Sequence, residues 1–516
     1  MRITNSRKRR TLPALSAGLL ALVSVSSASA QSLITGDLLV SRSSYEGTAS
    51  TVTVGQALPG GGVAVADGSG LSVFNNETPD PSFGITSSIK IDQFNTSSHA
   101  IDNTINVTQL AASQGVDLTT SFPSKSELAL NVSTDGTAVT FMGYVAPTNT
   151  LDVSNSNTPN HVDATNPVSA SYQRAVGQLN LDGTLAVTKV DAYSGNNGRA
   201  AVLAGGNYYM VGNAGNGSGT EPTNIVNNTG VQTTTPGGNA DTTVVGKQQG
   251  TIGASNGFQY GYAATPADKS GKDDNFRGLT VYNDTLYVTK GSGSNGVNTV
   301  YQVGATGSIN SLASAASSTA ISILPGFNTI AAKTATGGPN PFGIFFANDH
   351  TLYVADEGNG TATDSFAGLE KWVKDSSGNW SLKYTLATGL NIGGTYTVSG
   401  ANGSITTHTG GLRNLTAQVN GDSVTLYSVT ATYGSTIADA GGDPNMLVGI
   451  TDSLSSTTGL GESFTTLETA AYGDVLRGVA IAPTSAIPEP STYAAVAGLA
   501  ALGLALWRRK ASAKHV

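Results

Sequence analysis

Cysteine is absent from the 516 residues. No disulfide can hold this fold together and no thiolate can act as nucleophile, so the core must be large enough to stand without cross-links. Charge is sparse, with Asp, Glu, Lys and Arg making up 12% of the chain. The long amphipathic patterns that specify surface helices are missing. Histidine occurs five times. His515 lies in the C-terminal tail, and His99, His161, His350 and His408 are scattered through polar loops or turns without the spacing of a metal site. There is no G-x-S-x-G elbow either. The sequence therefore offers no catalytic motif, and nothing in it requires a metal or a cofactor.

The two ends are what the sequence states most plainly. Arg2, Arg7, Lys8, Arg9 and Arg10 form a positive n-region, residues 12–25 an apolar h-region, and Ala28-Ser29-Ala30 an A-x-A site that puts cleavage between Ala30 and Gln31. At the other end Pro488-Glu489-Pro490 interrupts the preceding structure, because proline lacks an N–H and fixes φ. An uncharged, Ala- and Leu-rich run at 494–507 follows, and then Arg508-Arg509-Lys510. That run is about 21 Å long as a helix, so Thr492, Tyr493 and snorkelling arginines are needed to approach a hydrocarbon core of roughly 30 Å. The basic end should stay cytoplasmic. This order of parts resembles the PEP-CTERM sorting signal of Gram-negative bacteria. The resemblance implies export, transient anchoring in the inner membrane through a short transmembrane helix, and an exosortase-like processing enzyme as partner. It also makes exopolysaccharide the natural associate of the mature protein. The chain thus divides into a signal peptide at 1–30, an extracytoplasmic body at 31–486 and a sorting signal at 487–516.

Without its ends the chain keeps 17 cations against 33 carboxylates, a net of −16. So acidic a body excludes nucleic acid, whose phosphates need a basic surface. It suits an anionic cell envelope or bridging by divalent cations. Its Thr, Val and Tyr favour strands and its Gly and Asn favour tight turns, so the body reads as all-β.

A layout recurs along it. Phe276-Arg277-Gly278-Leu279-Thr280-Val281, an Asn283-Asp284 turn and Thr285-Leu286-Tyr287-Val288 form one copy. Pro341-Phe342-Gly343-Ile344, Asn348-Asp349 and Thr351-Leu352-Tyr353-Val354 form the next; Leu412-Arg413-Asn414-Leu415, Asn420-Gly421 and Val424-Thr425-Leu426-Tyr427 another. Leu476-Arg477-Gly478-Val479 begins a last copy that stops at Pro483. Such turns provide the φ > 0 of two-residue hairpins. Weaker copies at 128–144 and 199–211 bring the first strands to a spacing of 64 to 77 residues. Outer hairpins at 175–190 and 369–384 make four strands per unit. Radial repetition of four-stranded units predicts a β-propeller of about six blades, or seven if residues 36–110 hold a complete one. Residues 212–250 and 386–410 read as long loops. The truncated last unit needs outer strands, which residues 36–95 can supply from 38–41, 71–75 and 88–94. The pattern resembles NHL-type and lactonase-type propellers. Tandem β-sandwiches would need about seven strands per unit.

The body holds six arginines: Arg42, Arg174, Arg199, Arg277, Arg413 and Arg477. Arg277, Arg413 and Arg477 share one place in the repeat, with Arg199 as the fourth, and in a propeller that place is near the mouth of the central channel. Two roles are open. The arginines can tie neighbouring blades through carbonyls and carboxylates, which is the plainer reading, or their forks can bind an anionic ligand such as a uronic-acid sugar. Asp273-Asp274, Asp356-Glu357 and Asp474 are loop acids that suit arginine pairing better than calcium, whose loop spacing is absent. Trp372, Trp380 and Tyr208-Tyr209 suit packing between blades better than sugar stacking. The expected function is an exported envelope or extracellular-matrix propeller with a binding or structural role. The alternative is an extracytoplasmic hydrolase or lactonase-like propeller enzyme, which would need acids and a histidine at the channel mouth.

Overall fold

Asn-Asp and Asn-Gly turns close the hairpins from which the body is built. Strand Leu279–Tyr282 pairs with Thr285–Lys290, Pro341–Asn348 with Thr351–Asp356, and Gly403–Asn420 with Ser423–Tyr433, all antiparallel. At the first turn Asn283 and Asp284 have φ of 45° and 51°, the left-handed pair that a type I′ turn requires and that these residues tolerate. The computed structural model describes residues 31–77, 83–245, 258–259, 272–315, 321–333 and 337–483, with Thr319 and Ala335. Ala30 and the signal peptide, and the sorting signal with Pro488, Glu489, Pro490, Arg508, Arg509 and Lys510, lie outside the described residues. Among the described residues no helix is long and apolar enough to cross a membrane.

Five sheets result. One runs outward from Gly198–Ala204 through Asn207–Gly212 and Gly230–Thr234 to Thr243–Val244. The next runs from Leu279–Tyr282 through Thr285–Lys290 and Thr299–Val303 to Ile321–Ile323, where Phe258–Gln259 adds a parallel strand. A third runs from Pro341–Asn348 through Thr351–Asp356 and Gly368–Lys374 to Trp380–Leu386. In the fourth, Gly403–Asn420 pairs with Thr395–Gly400 on one side and with Ser423–Tyr433, Met446–Ser453 and Thr465–Thr469 on the other. The fifth has nine strands, because Leu118–Ser121 bridges Thr86–Asn95 to Ala138–Val145.

First strands adjoin one another in a closed cycle. Asp474–Ile481 contacts Asn131–Val132, which contacts Gly198–Ala204, and the sequence continues through Leu279–Tyr282, Pro341–Asn348 and Gly403–Asn420 back to Asp474–Ile481. The result is a propeller-like ring of small sheets. The repeat's glycines mark the places where these strands crowd. A Cβ on Gly278 would lie 2.2 Å from the Phe342 carbonyl oxygen, and one on Gly478 would lie 2.3 Å from that of Leu128. Where the repeat has Asn414 instead, its amide donates to the Arg477 carbonyl at 2.5 Å. Hydroxyls on second strands complete the seam. Thr289 Oγ1 donates to Phe342 O at 2.6 Å and accepts from Gly278 N at 2.9 Å. Ser41 Oγ does the same between Leu128 O and Gly478 N, both at 2.7 Å.

The two ends of the body meet in one sheet. Leu38–Ser44 pairs antiparallel with both Asp474–Ile481 and Thr86–Asn95. Arg42 rivets this seam, with Nε 2.6 Å from Asp92 and Nη1 3.0 Å from Asp474.

Several expectations are corrected. Leu71–Glu77 is a 3-10 helix and not a strand; its Leu71, Val73 and Phe74 are buried at a spacing no single strand face allows. The stretch at 212–250 contains the strands Gly230–Thr234 and Thr243–Val244. The stretch at 386–410 forms the hairpin of Thr395–Gly400 with the start of Gly403–Asn420. Thr-rich, apolar-poor sequence composes an exposed hairpin as readily as a loop. His408 therefore lies in a strand, where its Nδ1 is 3.2 Å from Tyr433 O. The first strand of the copy at 128–144 shrinks to Asn131–Val132, since Leu128 turns to φ 60°.

Candidate functional site

The repeat carries the arginines inward. Arg277 stands just before Leu279–Tyr282, Arg413 within Gly403–Asn420 and Arg477 within Asp474–Ile481. Arg199 belongs to the same region with an offset. Thr140 Oγ1 bonds Ala201 O at 2.7 Å, as Ser41 bonds Leu128 and Thr289 bonds Phe342. Ala201 thus holds the equivalent position, and Arg199 lies two residues earlier on the same strand face.

Each guanidinium reaches beyond its own strand. Arg199 Nη1 donates to Phe276 O at 2.7 Å and to the Asn275 side chain. Arg277 bonds the hydroxyls of Ser126 and Ser292 and lies 5.7 Å from the Phe342 ring centroid. Arg413 Nε pairs with Glu357 Oε2 at 3.1 Å. Arg477 donates to Gly441 O at 2.9 Å, to Ser43 Oγ at 3.3 Å and to Phe122 O. Carbonyl ties of the expected kind exist, but among these four only Arg413 has a carboxylate in contact among the described residues.

The four charges act on one another. Burial lowers the guanidinium pKa of Arg199 well below its ordinary value, and Arg277 lowers it further. Burial also lowers that of Arg277, with Glu357 opposing and Arg413 adding to the fall. Arg477 is brought down to about 9 by burial and then by Arg413. Arg199 Nε, Arg277 Nε, Arg413 Nη2 and Arg477 Nη1 are buried and make no hydrogen bond within the described protein. Buried guanidinium N–H groups without an acceptor are costly and rare.

Arg199 and Arg277 open onto a cleft of about 580 Å³, whose walls also include Lys125, Asn197, Glu77 and Asp439. Its other charged groups match no motif, and neither does Glu127, which follows the wall residue Ser126. Glu127 is 1% exposed. Its carboxylate accepts from Thr120 Oγ1 at 2.8 Å, Ser121 N at 3.0 Å, Asn197 Nδ2 at 2.7 Å and the Tyr144 hydroxyl. The signal for both residues is Ser124-Lys125-Ser126-Glu127, a polar run immediately before buried Leu128. Together the region holds Arg199, Arg277, Arg413, Arg477 and Lys125 against Glu77, Glu127, Glu357 and Asp439. Of the charged residues that line the cleft itself, Lys125, Arg199 and Arg277 are cationic and Glu77 and Asp439 anionic.

The remaining candidates fall elsewhere. Asp474 pairs with Arg42, outside the arginine group. Asp356 accepts from Asn340 N at 2.5 Å and Gly358 N at 2.8 Å. Asp273 and Asp274 are buried. Among the described residues no three His, Asp or Glu side chains assemble into a metal-holding group. Tyr208 and Tyr209 are buried, Trp372 stacks on Phe327 at 3.9 Å, and Trp380 meets Phe346 edge-on at 5.9 Å. His161 sets Nδ1 3.1 Å from Asn224 O, and no histidine lines the arginine cleft among the described residues.

Residues 486–510 match the family model of the PEP-CTERM protein-sorting motif. The chain carries that motif, which implies an exported protein anchored transiently at the membrane and processed by an exosortase. No curated protein matches the chain in sequence. Solved structures that align with it include the hemagglutinin-neuraminidase ectodomain of parainfluenza virus 5, at 9% identity and a TM-score of 0.33, covering 71% of this chain and 75% of that one. Another is the dihydro-heme d1 dehydrogenase NirN in complex with DHE, at 8% identity and a TM-score of 0.28, covering 78% and 76%.

Proposed function

We propose that residues 31–486 form a six-bladed propeller that binds an anionic polysaccharide at its axial arginine cleft, with Arg199, Arg277, Arg413 and Arg477 as the ligand-binding residues. Six blades follow if the nine-stranded sheet counts as two, one built on Asp474–Ile481 and one on Asn131–Val132. The protein is made with a signal peptide, sorted through its C-terminal motif, and acts in the envelope or the extracellular matrix.

The observation that carries the reading is the set of four buried guanidinium nitrogens that make no hydrogen bond among the described residues, on arginines that repel one another and of which Arg199 and Arg277 line the cleft itself. A carboxylate or sulfate supplies the acceptor and the counter-charge at once. Uronic acids present that group on a sugar, which joins the cleft's chemistry to the exopolysaccharide association of the sorting system. Cleft walls rich in Arg, Lys, Ser and Asn support binding over hydrolysis, since among the described residues no histidine stands beside Glu77 and Asp439 as a proton-transfer partner.

Retention of the exported protein in gels cast with polygalacturonate or with dextran tests this. Polygalacturonate should retard the wild type and dextran should not, and Arg277→Ala should remove the retardation. Equal migration in both gels contradicts the reading.

A further inference from the structure

A second cleft, of about 750 Å³, lies between the sheets that carry Thr299 and Glu370. Its chemistry is opposite to that of the arginine cleft. Phe327, Ile330, Phe366 and Trp372 provide apolar wall, Glu370 and Asp364 provide its charges, and no Lys, Arg or His lines it among the described residues.

Glu370 is 1% exposed. Its Oε2 accepts the Trp372 indole N–H at 2.7 Å, while Oε1 makes no hydrogen bond among the described residues. Thr299, also 1% exposed, likewise has an Oγ1 without a hydrogen bond among the described residues. Trp372 is braced by its stack on Phe327. Asp356 lies on the adjacent strand, where Val354 pairs with Glu370 and Asp356 with Gly368, so the two carboxylates occupy one face of the sheet. Burial, followed by the charge of Asp356, raises the Glu370 carboxyl well above the ordinary range. A buried acid beside another acid, with an idle oxygen, is an unfavourable arrangement unless something brings it a donor and a positive charge.

We propose that this cleft binds the primary ammonium group of an amino sugar. The ammonium donates to Glu370 Oε1, Thr299 Oγ1 takes up a second hydrogen bond, and the ring lies along the Phe327, Trp372 and Phe366 wall. No axial arginine lines the cleft, so the proposal stands or falls apart from the anion-binding reading. Carboxylates with aromatic walls favour a cationic ligand over a neutral one of equal shape.

Calorimetric titration of the exported protein with glucosamine, glucose and glucuronate tests it. Glucosamine should bind at least ~10-fold more tightly than glucose, since the two rings differ at this site by one charged hydrogen bond. Glu370→Gln retains the acceptor for the Trp372 indole, and it should weaken glucosamine by ~10-fold or more without shifting the melting curve. Asp364→Asn, at the half-exposed rim, serves as a second variant should the buried substitution perturb folding, and should weaken glucosamine by a few-fold. Equal affinity for glucose and glucosamine, preference for glucuronate, no saturable glucosamine binding, or unchanged affinity in both variants would overturn the proposal.

Discussion

Arg277 and Arg413 hold matching places in the repeat, yet their substitution should have different effects. Arg413→Ala strands Glu357 beside a buried seam, and breaking such a pair costs about 3–5 kcal/mol. Arg277→Ala removes a guanidinium held by two serine hydroxyls and relieves its repulsion with Arg199 and Arg413. Its denaturation midpoint should stay near that of the wild type while anion binding is lost; a large loss of stability would mark Arg277 as a structural tie. Gly278→Ala probes the seam itself. Its Cβ would sit 2.2 Å from Phe342 O, and overpacking against backbone should destabilise by at least ~2 kcal/mol in urea titration. Asp356 makes the pH prediction. Burial pushes its pKa up to about 8, whereas an unfolded Asp titrates near ~3.9. Between these values the folded state binds the extra proton, so this residue's contribution to stability falls as pH rises from about 4 to about 8. Asp356→Asn should flatten that slope, and an unchanged slope would show that Asp356 is not its source.

At the scale of elements, the ring depends on the strand Leu38–Ser44. It lies between Asp474–Ile481 and Thr86–Asn95, and its removal exposes two strand edges. A protein lacking residues 31–45 should lose cooperative thermal unfolding, and a single unaltered transition would refute closure by this strand. Much of this architecture is legible in the sequence because tight turns have strict chemistry. Asn283-Asp284 states its turn type, and Gly278 and Gly478 repeat because neighbouring backbone leaves no room for a side chain. Less was legible where composition suits two structures. Threonine-rich residues 395–408 read as loop and form a hairpin, and buried Leu71, Val73 and Phe74 read as strand and form a 3-10 helix. The seam hydroxyls of Ser41, Thr140 and Thr289 were invisible, since a threonine in a strand needs no special reason to be there. The arginine group shows the same division. The repeat itself brings Arg277, Arg413 and Arg477 together. The two-residue offset of Arg199 is one of strand register, and the presence of Glu127 and Lys125 is one of loop geometry; no motif records either.

At the scale of the whole molecule, the chain joins an acidic, disulfide-free β body to a C-terminal sorting motif that implies export. Intact-mass spectrometry of exported material should find a start at Gln31 and no Arg508-Arg509-Lys510; retention of those residues would exclude processing of the tail. The central claim concerns what the body does after export. On the proposed reading, an anion in the cleft that Arg277 lines would satisfy guanidinium nitrogens that make no hydrogen bond among the described residues. The most direct measurement is calorimetric titration of the exported protein with trigalacturonate, for the wild type and for Arg277→Ala. The account predicts saturable binding by the wild type that weakens as salt is added, and a loss of at least ~10-fold in Arg277→Ala at unchanged stability. Equal affinity in the two proteins, or heat from trigalacturonate no greater than from maltotriose, would contradict it.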